Sequence, residues 1–419
     1  MKKNSLQIVH RPSFVVQIAN RQSQIENSVM FHEVTRATGE ALRAFFRERQ
    51  GEMLALVRAL VETESPSGDL EGSRAVVRLL AAAAREIPCV NTAERIESEN
   101  YGEHLLVRAF ADEANDAGAI LMVGHTDTVH PHGTILERPW REEDGRIYGP
   151  GVFDMKANCV LALEALRALG MLKLRPRRQV VLLLTCDEET GSPAGRPLVE
   201  AEARHARCAL VLEPPASGGR VKTARKGTGL FTLRAYGRAA HAGLEPEKGA
   251  SAILEIARQI ERLHSLNNPA SGTTVNVGVV RGGTTSNVVA AEAAAEIDIR
   301  FNTIEEAERL TEKILNLQPC DERVRLKIEG GINRPPLERN RRVAALYEQA
   351  RRIAAALDFE LGETSVGGAS DGNFIAAQGV AVLDGLGIGG DGAHASHEHI
   401  LVDDIATRGA LLAGLIATL

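Results

Sequence analysis

The stretch Gly124-His125-Thr126-Asp127-Thr128-Val129-His130-Pro131 directly follows a short apolar run, Ala119-Ile120-Leu121-Met122-Val123. Because the run is short and bounded by glycines, it predicts a buried strand of a parallel sheet. That strand delivers His125 to its carboxyl end, the edge at which open α/β sheets bind ligands. Asp127 is two residues further on, so both side chains point the same way if the backbone stays extended. The pair fits a metal-bound imidazole oriented by a carboxylate, although it also fits an ordinary histidine in a polar loop.

Two further apolar runs end in carboxylates. The run from Gln179 to Thr185 is followed by Cys186-Asp187-Glu188-Glu189, and the run from Ala209 to Leu212 is followed by Glu213. Adjacent carboxylates at the end of a buried strand are unfavourable unless water or cations compensate them. The repetition at three strand ends favours one shared site, and a pair of metal ions would explain the carboxylates.

A fourth candidate, Asp154, lies in the glycine-rich segment Gly149-Pro150-Gly151-Val152-Phe153-Asp154-Met155-Lys156, directly before a predicted helix. An aspartate at this position is often a helix N-cap, which serves stability alone. The sequence leaves both roles open for Asp154.

The order of predicted elements divides the chain. Helices and strands alternate over residues 40–224, which is typical of an α/β domain, and this character returns over residues 334–419. Residues 225–333 instead combine alternating strands with a long helix, which predicts an inserted α+β domain. Residues 1–39 are predicted to be a poorly ordered leader.

Composition excludes several classes of function. The formal charge of −6 argues against a nucleic-acid surface. No run approaches the roughly 20 apolar residues of a membrane span. The five cysteines are odd in number and lack CxxC spacing, so neither a disulfide framework nor a thiolate zinc cluster is indicated. These features favour a protein of a reducing compartment, and we predict a cytoplasmic location.

One rival interpretation is a dinucleotide-binding oxidoreductase. The run Gly387-Ile388-Gly389-Gly390-Asp391-Gly392 formally matches GxGxxG after a predicted strand. The fingerprint also requires a helix that opens on the glycines, whereas polar, histidine-rich sequence follows here. The context therefore argues against this class.

The motifs GHTDTVHP, GPGVFDMK, CDEETGS, LEPP, AHAG and AHASHEHI occur together in this order. From Glu40 to Leu419 the chain resembles the co-catalytic zinc metallopeptidases that include bacterial glutamate carboxypeptidase, aminoacylase and succinyl-diaminopimelate desuccinylase. The resemblance implies a zinc-exopeptidase-like catalytic domain with a central, mostly parallel sheet and an inserted dimerisation (lid) domain. It also implies two Zn²⁺ ions per subunit and a homodimer.

Carried over motif by motif, the resemblance assigns His125, Asp154 and Glu213 to one zinc ion and Asp154, Glu189 and His394 to the other. Asp154 would bridge the two ions, Glu188 would be the general base and Asp127 would orient His125. Oxygen and nitrogen ligands suit zinc, and Glu188 is adjacent to a ligand without being one, so it can accept a proton from water. His130 and His132 are predicted to be loop histidines outside the site.

The predicted reaction is hydrolysis of an amide bond next to a free carboxylate, in a small peptide or an N-acyl amino acid. Motif similarity is greatest to glutamate carboxypeptidase, in which the residues matching His241, Asn287 and Arg334 contact the substrate. Ala290 stands where the family usually has proline, which leaves the geometry of the Asn287 loop open. An N-acyl-amino-acid deacylase, a dipeptidase and a non-catalytic zinc-binding relative are the alternatives.

Overall fold

The computed structural model describes residues 33–111 and 118–419. The helices in these residues are α1 (Arg36–Glu62), α2 (Leu70–Arg85), α3 (Thr134–Glu137), α4 (Ala157–Met171), α5 (Gly195–Ala203), α6 (Ala252–His264), α7 (Ile304–Leu315), α8 (Arg341–Ala356), α9 (Gly372–Ala377) and α10 (Ile405–Thr418). The strands are β1 (Val90–Ser98), β2 (Gly102–Ala109), β3 (Ala119–His125), β4 (Arg141–Glu143), β5 (Arg146–Tyr148), β6 (Val180–Thr185), β7 (Ala206–Val211), β8 (Val221–Arg225), β9 (Gly227–Tyr236), β10 (Thr274–Gly282), β11 (Glu292–Phe301), β12 (Arg325–Arg334), β13 (Glu363–Val366), β14 (Ala381–Leu383), β15 (Gly390–Asp391) and β16 (His399–Leu401).

Helix α1 begins before the predicted end of the leader. Residues 1–32 of the predicted leader lie outside the described residues. Thr35 caps the helix by accepting a hydrogen bond from the N–H of Thr38 (3.2 Å), and Val34 is already buried. The predicted boundary at residue 39 therefore falls inside α1, because a cap and a buried apolar residue precede it.

The first unit is built on a six-stranded sheet with the order β1-β2-β6-β3-β7-β14. Strands β6, β3, β7 and β14 run parallel to one another. At one side of the sheet, β2 pairs antiparallel with β6, and β1 pairs antiparallel with β2. This arrangement confirms the predicted mostly parallel sheet.

Helices cover both faces of this sheet. In β3, Ile120 and Met122 belong to the core shared with α1, α4 and α10, whereas Leu121 and Val123 pack in a second core with α5 and α9. Burial on both faces explains why the run is continuously apolar. Helices α4 and α10 are buried almost all round. Among the described residues, no helix combines the length and apolar character that a membrane span requires.

The strand register brings the predicted ligands to one level of the sheet. His125 pairs with Thr185, so the Cys186-Asp187-Glu188-Glu189 segment starts beside the imidazole. Val123 pairs with Val211, which places Glu213, two residues later, level with His125. The three strand ends therefore meet at one edge, as the sequence predicts.

A second unit has its own sheet and its own core. Strands β10, β11, β9 and β12 form an antiparallel sheet in that order, and α6 and α7 pack against it. This unit runs from Gly227 to Arg334 and occupies the stretch predicted as the inserted α+β domain. Arg225, predicted as the first residue of the insertion, instead ends β8 in the first unit.

A small sheet with the order β15-β16-β5-β4 joins two distant segments. Asp144 and Gly145 have positive φ angles of 49° and 72° and form the tight turn between β4 and β5. Strand β5 leads into the segment that contains Asp154, and β16 follows the segment that contains His394. The glycine run at 387–392 contributes strand β15 to this sheet instead of opening a helix.

Candidate active site

His125 is buried at the end of β3, with 1% of its surface exposed. Its Nδ1 lies 3.0 Å from the backbone carbonyl of Asp127 and 3.4 Å from the Asp127 carboxylate. Because a carbonyl only accepts hydrogen bonds, Nδ1 carries the proton and Nε2 faces the rest of the site. Asp127 is therefore close to the imidazole as predicted, although its backbone makes the shorter contact.

The Asp127 carboxylate also holds the next strand end. It accepts hydrogen bonds from the backbone N–H groups of Glu188 and Glu189, each at 3.1 Å, and from the Ser67 hydroxyl at 2.6 Å. One buried carboxylate thus fixes the position of His125 and of the turn that carries Glu188 and Glu189. The sequence indicated only the first of these contacts.

Asp154 lies between the two predicted sets of ligands. Its Oδ1 is 3.2 Å from His125 Nε2, and its Oδ2 is 3.4 Å from His394 Nε2. Gly151, with φ of 72°, starts the turn before Asp154, and a Cβ there would come 2.5 Å from Thr128. Asp154 caps no helix in this structure, because α4 starts only at Ala157.

Each predicted set contains one further carboxylate. Glu213 Oε1 is 3.6 Å from His125 Nε2, and Glu189 Oε2 is 3.1 Å from His394 Nε2. The ligand atoms of His125, Asp154 and Glu213 lie within 4.8 Å of one another, as do those of Asp154, Glu189 and His394. The structure therefore brings all five predicted ligands together in two sets that share Asp154.

The chemistry of these groups fits divalent cations. Glu189 Oε1 is buried and has no hydrogen-bond partner in the described part of the chain. Burial and the neighbouring Asp154 carboxylate raise the pKa of Glu213 to about 7. Hydrogen bonds to Asp154 and Glu189 raise the pKa of His394 to about 10, so its proton compensates carboxylates that a cation would otherwise compensate. Two imidazoles and three carboxylates are a donor set that zinc accepts.

Glu188 lies beside these two sets without belonging to either. Its Oε1 is 2.9 Å from Nη2 of Arg334, which also donates to the hydroxyl of Ser192 (2.8 Å) and to Asp371 (3.1 Å). Burial raises the pKa of Glu188 well above its usual value, while the charge of Arg334 opposes the shift. Arg334 thus contacts the predicted base directly, a contact that the sequence did not indicate.

A buried ion pair between Arg225 and Asp384 lies next to Glu213. Arg225 donates to both oxygens of Asp384, at 2.6 and 2.7 Å, and its Nη2 is 3.4 Å from Glu213 Oε2. Asp384 follows β14, the neighbour of β7, so the pair joins two adjacent strand ends. The sequence places Arg225 in the inserted domain, whereas its ion pair with Asp384 belongs to the first unit. The sequence alone did not show that partner.

His241 and Asn287 lie in the second unit on two neighbouring segments, which are joined by a β-bridge between His241 and Val288. Both are exposed, and the backbone carbonyl of Asn287 accepts a hydrogen bond from Ala242 (2.9 Å). Nδ1 of His241 accepts hydrogen bonds from the N–H groups of Gly243 and Leu244, at 3.1 and 3.2 Å. In the neutral ring, Nε2 is therefore the N–H donor.

Sequence reasoning missed the role of His130. It was predicted to be a loop histidine outside the site, but it is buried and its Nε2 lies 2.7 Å from Glu398. Glu398 in turn accepts hydrogen bonds from the backbone of the Asp154 segment. The prediction for His130 is corrected here, because the partner that buries it is distant in sequence. His132, in contrast, is exposed.

A third group of potential ligands, His104, Cys186 and Asp187, is buried nearby. Asp187 already accepts hydrogen bonds from the N–H groups of Ala194 and Gly195, at 2.6 and 3.0 Å. His104 Nδ1 accepts one from the N–H of Cys186 at 3.2 Å. Because backbone donors satisfy these atoms, the group serves the local structure.

Comparison with known proteins agrees with this geometry. The profile described as Peptidase family M20/M25/M40 matches residues 121–418. Carboxypeptidase G2 of Pseudomonas sp. (strain RS-16) is 26% identical over 379 residues, which cover 89% of this chain and 90% of that protein. Acetylornithine deacetylase of Klebsiella pneumoniae (strain 342) is 28% identical over 265 residues, which cover 59% of this chain and 67% of that protein.

Solved structures share the fold. The Bacillus subtilis YXEP protein, described as a dinuclear metal binding peptidase from this family, matches with a TM-score of 0.64 at 12% identity. The match covers 88% of this chain and 98% of that chain. Because the family profile spans more than half of the sequence, the chain belongs to peptidase family M20/M25/M40 and is a hydrolytic enzyme acting on peptide or acyl amide bonds.

Proposed function

We propose that the protein is a zinc-dependent exopeptidase that removes a carboxylate-bearing residue, most similar in action to a glutamate carboxypeptidase. One observation carries the proposal: Asp154 lies between two imidazole–carboxylate pairs, and an additional buried carboxylate, Glu188, belongs to neither pair and contacts Arg334. A bridging carboxylate suits two ions about 3.5–4 Å apart. We infer that His125, Asp154 and Glu213 hold one ion and that Asp154, Glu189 and His394 hold the other.

The roles of the protein groups follow from their contacts. Bound zinc would polarise the scissile carbonyl and make water a better nucleophile. Glu188 takes a proton from the attacking water and returns it to the leaving amine, since its side chain is not needed as a ligand. Asp127 keeps Glu188 in place through the backbone N–H, at 3.1 Å.

Arg334 is the group best suited to select a free carboxylate. Its Nη2 lies 2.9 Å from Glu188, so a carboxylate bound by Arg334 would stand next to the base. Its buried Nε has no hydrogen-bond partner among the described residues, so the guanidinium keeps one donor that no protein group in them uses. A planar guanidinium can bind a carboxylate with two parallel hydrogen bonds, which an ammonium group cannot copy.

Matched substrates test this selection. We expect kcat/KM for an N-acyl or peptidyl glutamate with a free α-carboxylate to be about 10- to 100-fold higher than for its α-amide. This ratio corresponds to the free energy that one hydrogen bond to a charged group contributes. Arg334→Lys should reduce that preference while the zinc content stays unchanged. Equal kcat/KM values for acid and amide would remove Arg334 from this role.

The same screen separates the alternatives. The chain is similar both to a carboxypeptidase and to an acetylornithine deacetylase, so the panel includes dipeptides, N-acetyl amino acids and peptidyl glutamates. Preferred cleavage of N-acetyl compounds would favour a deacylase. The five cysteines are all free, which is consistent with the proposed cytoplasmic location.

We further propose that the protein is a homodimer in which His241 serves the site of the partner subunit. The second unit leaves Leu230, Val280 and Leu254 exposed, and a twofold interface would cover such apolar side chains. The Nε2–H of His241 suits an oxygen on which negative charge develops during amide hydrolysis. Together with Asn287, His241 would complete the binding of the substrate.

Subunit mixing tests the contribution from the partner. Glu188→Gln and His241→Ala should each be inactive, and a mixed dimer should recover partial activity because one of its two sites has both groups intact. If labelled subunits exchange and activity does not return, His241 does not act in the partner's site.

A further inference from the structure

A largely buried chain of hydrogen bonds connects the segments that carry Asp154 and His394. Its three side chains are Arg138, His130 and Glu398, which we call the brace. Arg138 follows α3, His130 follows β3 by five residues, and Glu398 directly precedes β16. The brace thus draws on three separate parts of the first unit.

Glu398 is the centre of the brace. It is 3% exposed, and its Oε1 accepts hydrogen bonds from the N–H groups of Phe153 (2.9 Å) and Asp154 (3.0 Å). Its Oε2 accepts from the N–H of Gly151 (2.8 Å) and lies 2.7 Å from His130 Nε2. Hydrogen bonds to a buried charged acceptor are short and strong, so this carboxylate determines where the backbone at Asp154 lies.

His130 and Arg138 hold Glu398 and reach the other segment. Arg138 Nη2 lies 3.2 Å from His130 Nδ1, and since a guanidinium only donates, Nδ1 accepts and Nε2 donates to Glu398. Nη1 of Arg138 donates to the carbonyl of Ala395 (3.1 Å), the residue after His394. The chain of bonds therefore begins at the backbone N–H of Asp154 and ends at Ala395, the neighbour of His394.

The Asp154 segment needs such support. Asp154 and Met155 have φ/ψ values that are not helical, so the N–H groups here lie outside the regular bonding of a helix. Buried backbone donors require acceptors, and Glu398 satisfies three of them. A carboxylate that serves two ions tolerates little displacement, and groups that orient ligands typically contribute about 10- to 100-fold to metal affinity.

We infer that Glu398, held by His130 and Arg138, is a positioning residue that fixes Asp154 relative to His394, so that one carboxylate can serve two metal ions. This inference rests on the proposed metal centre. None of the three side chains is a ligand; they act through the backbone of the ligand segments.

The test measures zinc affinity of the apoprotein by competition with a chromophoric chelator, so it does not depend on turnover. His130→Phe keeps a planar ring but loses both nitrogens, whereas His130→Gln keeps a donor for Glu398. His132→Phe is the matched control, because His132 is 60% exposed and contacts Glu64 and Asp69 instead. Urea midpoints of the four apoproteins report any effect on folding.

We expect His130→Phe to weaken zinc binding about 10- to 100-fold, His130→Gln to recover part of this loss, and His132→Phe to bind like the wild type. The loss in the free energy of zinc binding should exceed any change in the free energy of unfolding of the apoprotein. If the wild type binds two ions and His130→Phe binds them equally tightly, the positioning role is wrong while the metal centre stands. If the wild type binds no zinc, the metal centre is wrong and the positioning role falls with it.

Discussion

Two buried glutamates, one in each unit, differ in how their oxygens are satisfied. Glu255 in α6 is 1% exposed and accepts hydrogen bonds from the N–H groups of Cys320 and Asp321 and from Gln259, at 2.7 to 3.1 Å. Glu189 in the first unit is partly buried as a residue, and its side chain is 7% exposed; its Oε2 contacts His394 and its Oε1 has no partner within the described residues. Both carboxylates are largely buried, but only that of Glu255 receives hydrogen bonds on both oxygens.

The difference separates a structural carboxylate from a proposed metal ligand. A buried carboxylate that the protein satisfies itself links α6 to the segment before β12, and nothing further needs to bind it. A buried carboxylate with a free oxygen, close to Asp154 and His394, is unfavourable until a cation arrives. The same residue type therefore stabilises the second unit, whereas in the first unit it leaves an oxygen free for the proposed metal ion.

The largest expected effect belongs to a third buried glutamate, which Arg334 contacts. Glu188→Gln keeps the size and most hydrogen bonding of the side chain but cannot accept a proton. We expect turnover to fall by at least about 100-fold while metal content persists. Steady-state kinetics and elemental analysis of one preparation check this, and near-normal turnover would contradict the role of Glu188 as base.

Glu189→Gln sharpens the comparison directly. Removing the charge costs the apoprotein only the contact with the half-exposed His394, so we expect it to lose less than about 1 kcal/mol in the free energy of unfolding, and no hydrogen bond to Oε1 is lost. It should reduce the stabilisation by added zinc, which for a ligand at 100 times its Kd amounts to about 2.7 kcal/mol. Urea denaturation with and without zinc measures both quantities. A clear loss of apoprotein stability would place Glu189 with the structural carboxylates.

Glu255→Gln is the matched counterpart. An amide can accept fewer of the N–H groups now bound to Glu255, so we expect a loss of about 1–3 kcal/mol in the free energy of unfolding. The loss should be the same with and without zinc. A loss that depended on zinc would show that the two carboxylates do not differ in the way described.

The smallest effect is expected on the surface. Arg58 and Glu62 form an ion pair one helical turn apart in α1, with side chains 57% and 48% exposed. Arg58→Ala should change stability by less than about 0.5 kcal/mol and leave zinc binding unchanged. A larger shift in the urea midpoint would mean that stability measurements on this chain do not discriminate between buried and exposed charges.

Much of the fold was predictable because it rests on local patterns. Strands β3, β6 and β7 each contain a continuous apolar run, and the polar residues that follow these runs mark one edge of a parallel sheet. The order of the motifs then indicated which carboxylates share a site. The small sheet was not predicted, because its strands are only two or three residues long and carry no clear periodicity.

The contacts between distant segments were not predictable. His130 and Glu398 are 268 residues apart, and neither carries a periodic signal that ties it to the other. Arg225 and Arg334 are likewise defined by partners from other elements, Asp384 and Glu188. These pairs depend on how the chain packs, and a single sequence without its structure does not specify that.

The most direct measurement is a zinc titration of the metal-free protein and of Asp154→Ala, with metal counted per chain. We expect two tightly bound ions in the wild type and no tight ion in the variant, because Asp154 belongs to both proposed ligand sets. One ion bound at wild-type strength in Asp154→Ala, or fewer than two in the wild type, would contradict a metal centre shared through Asp154.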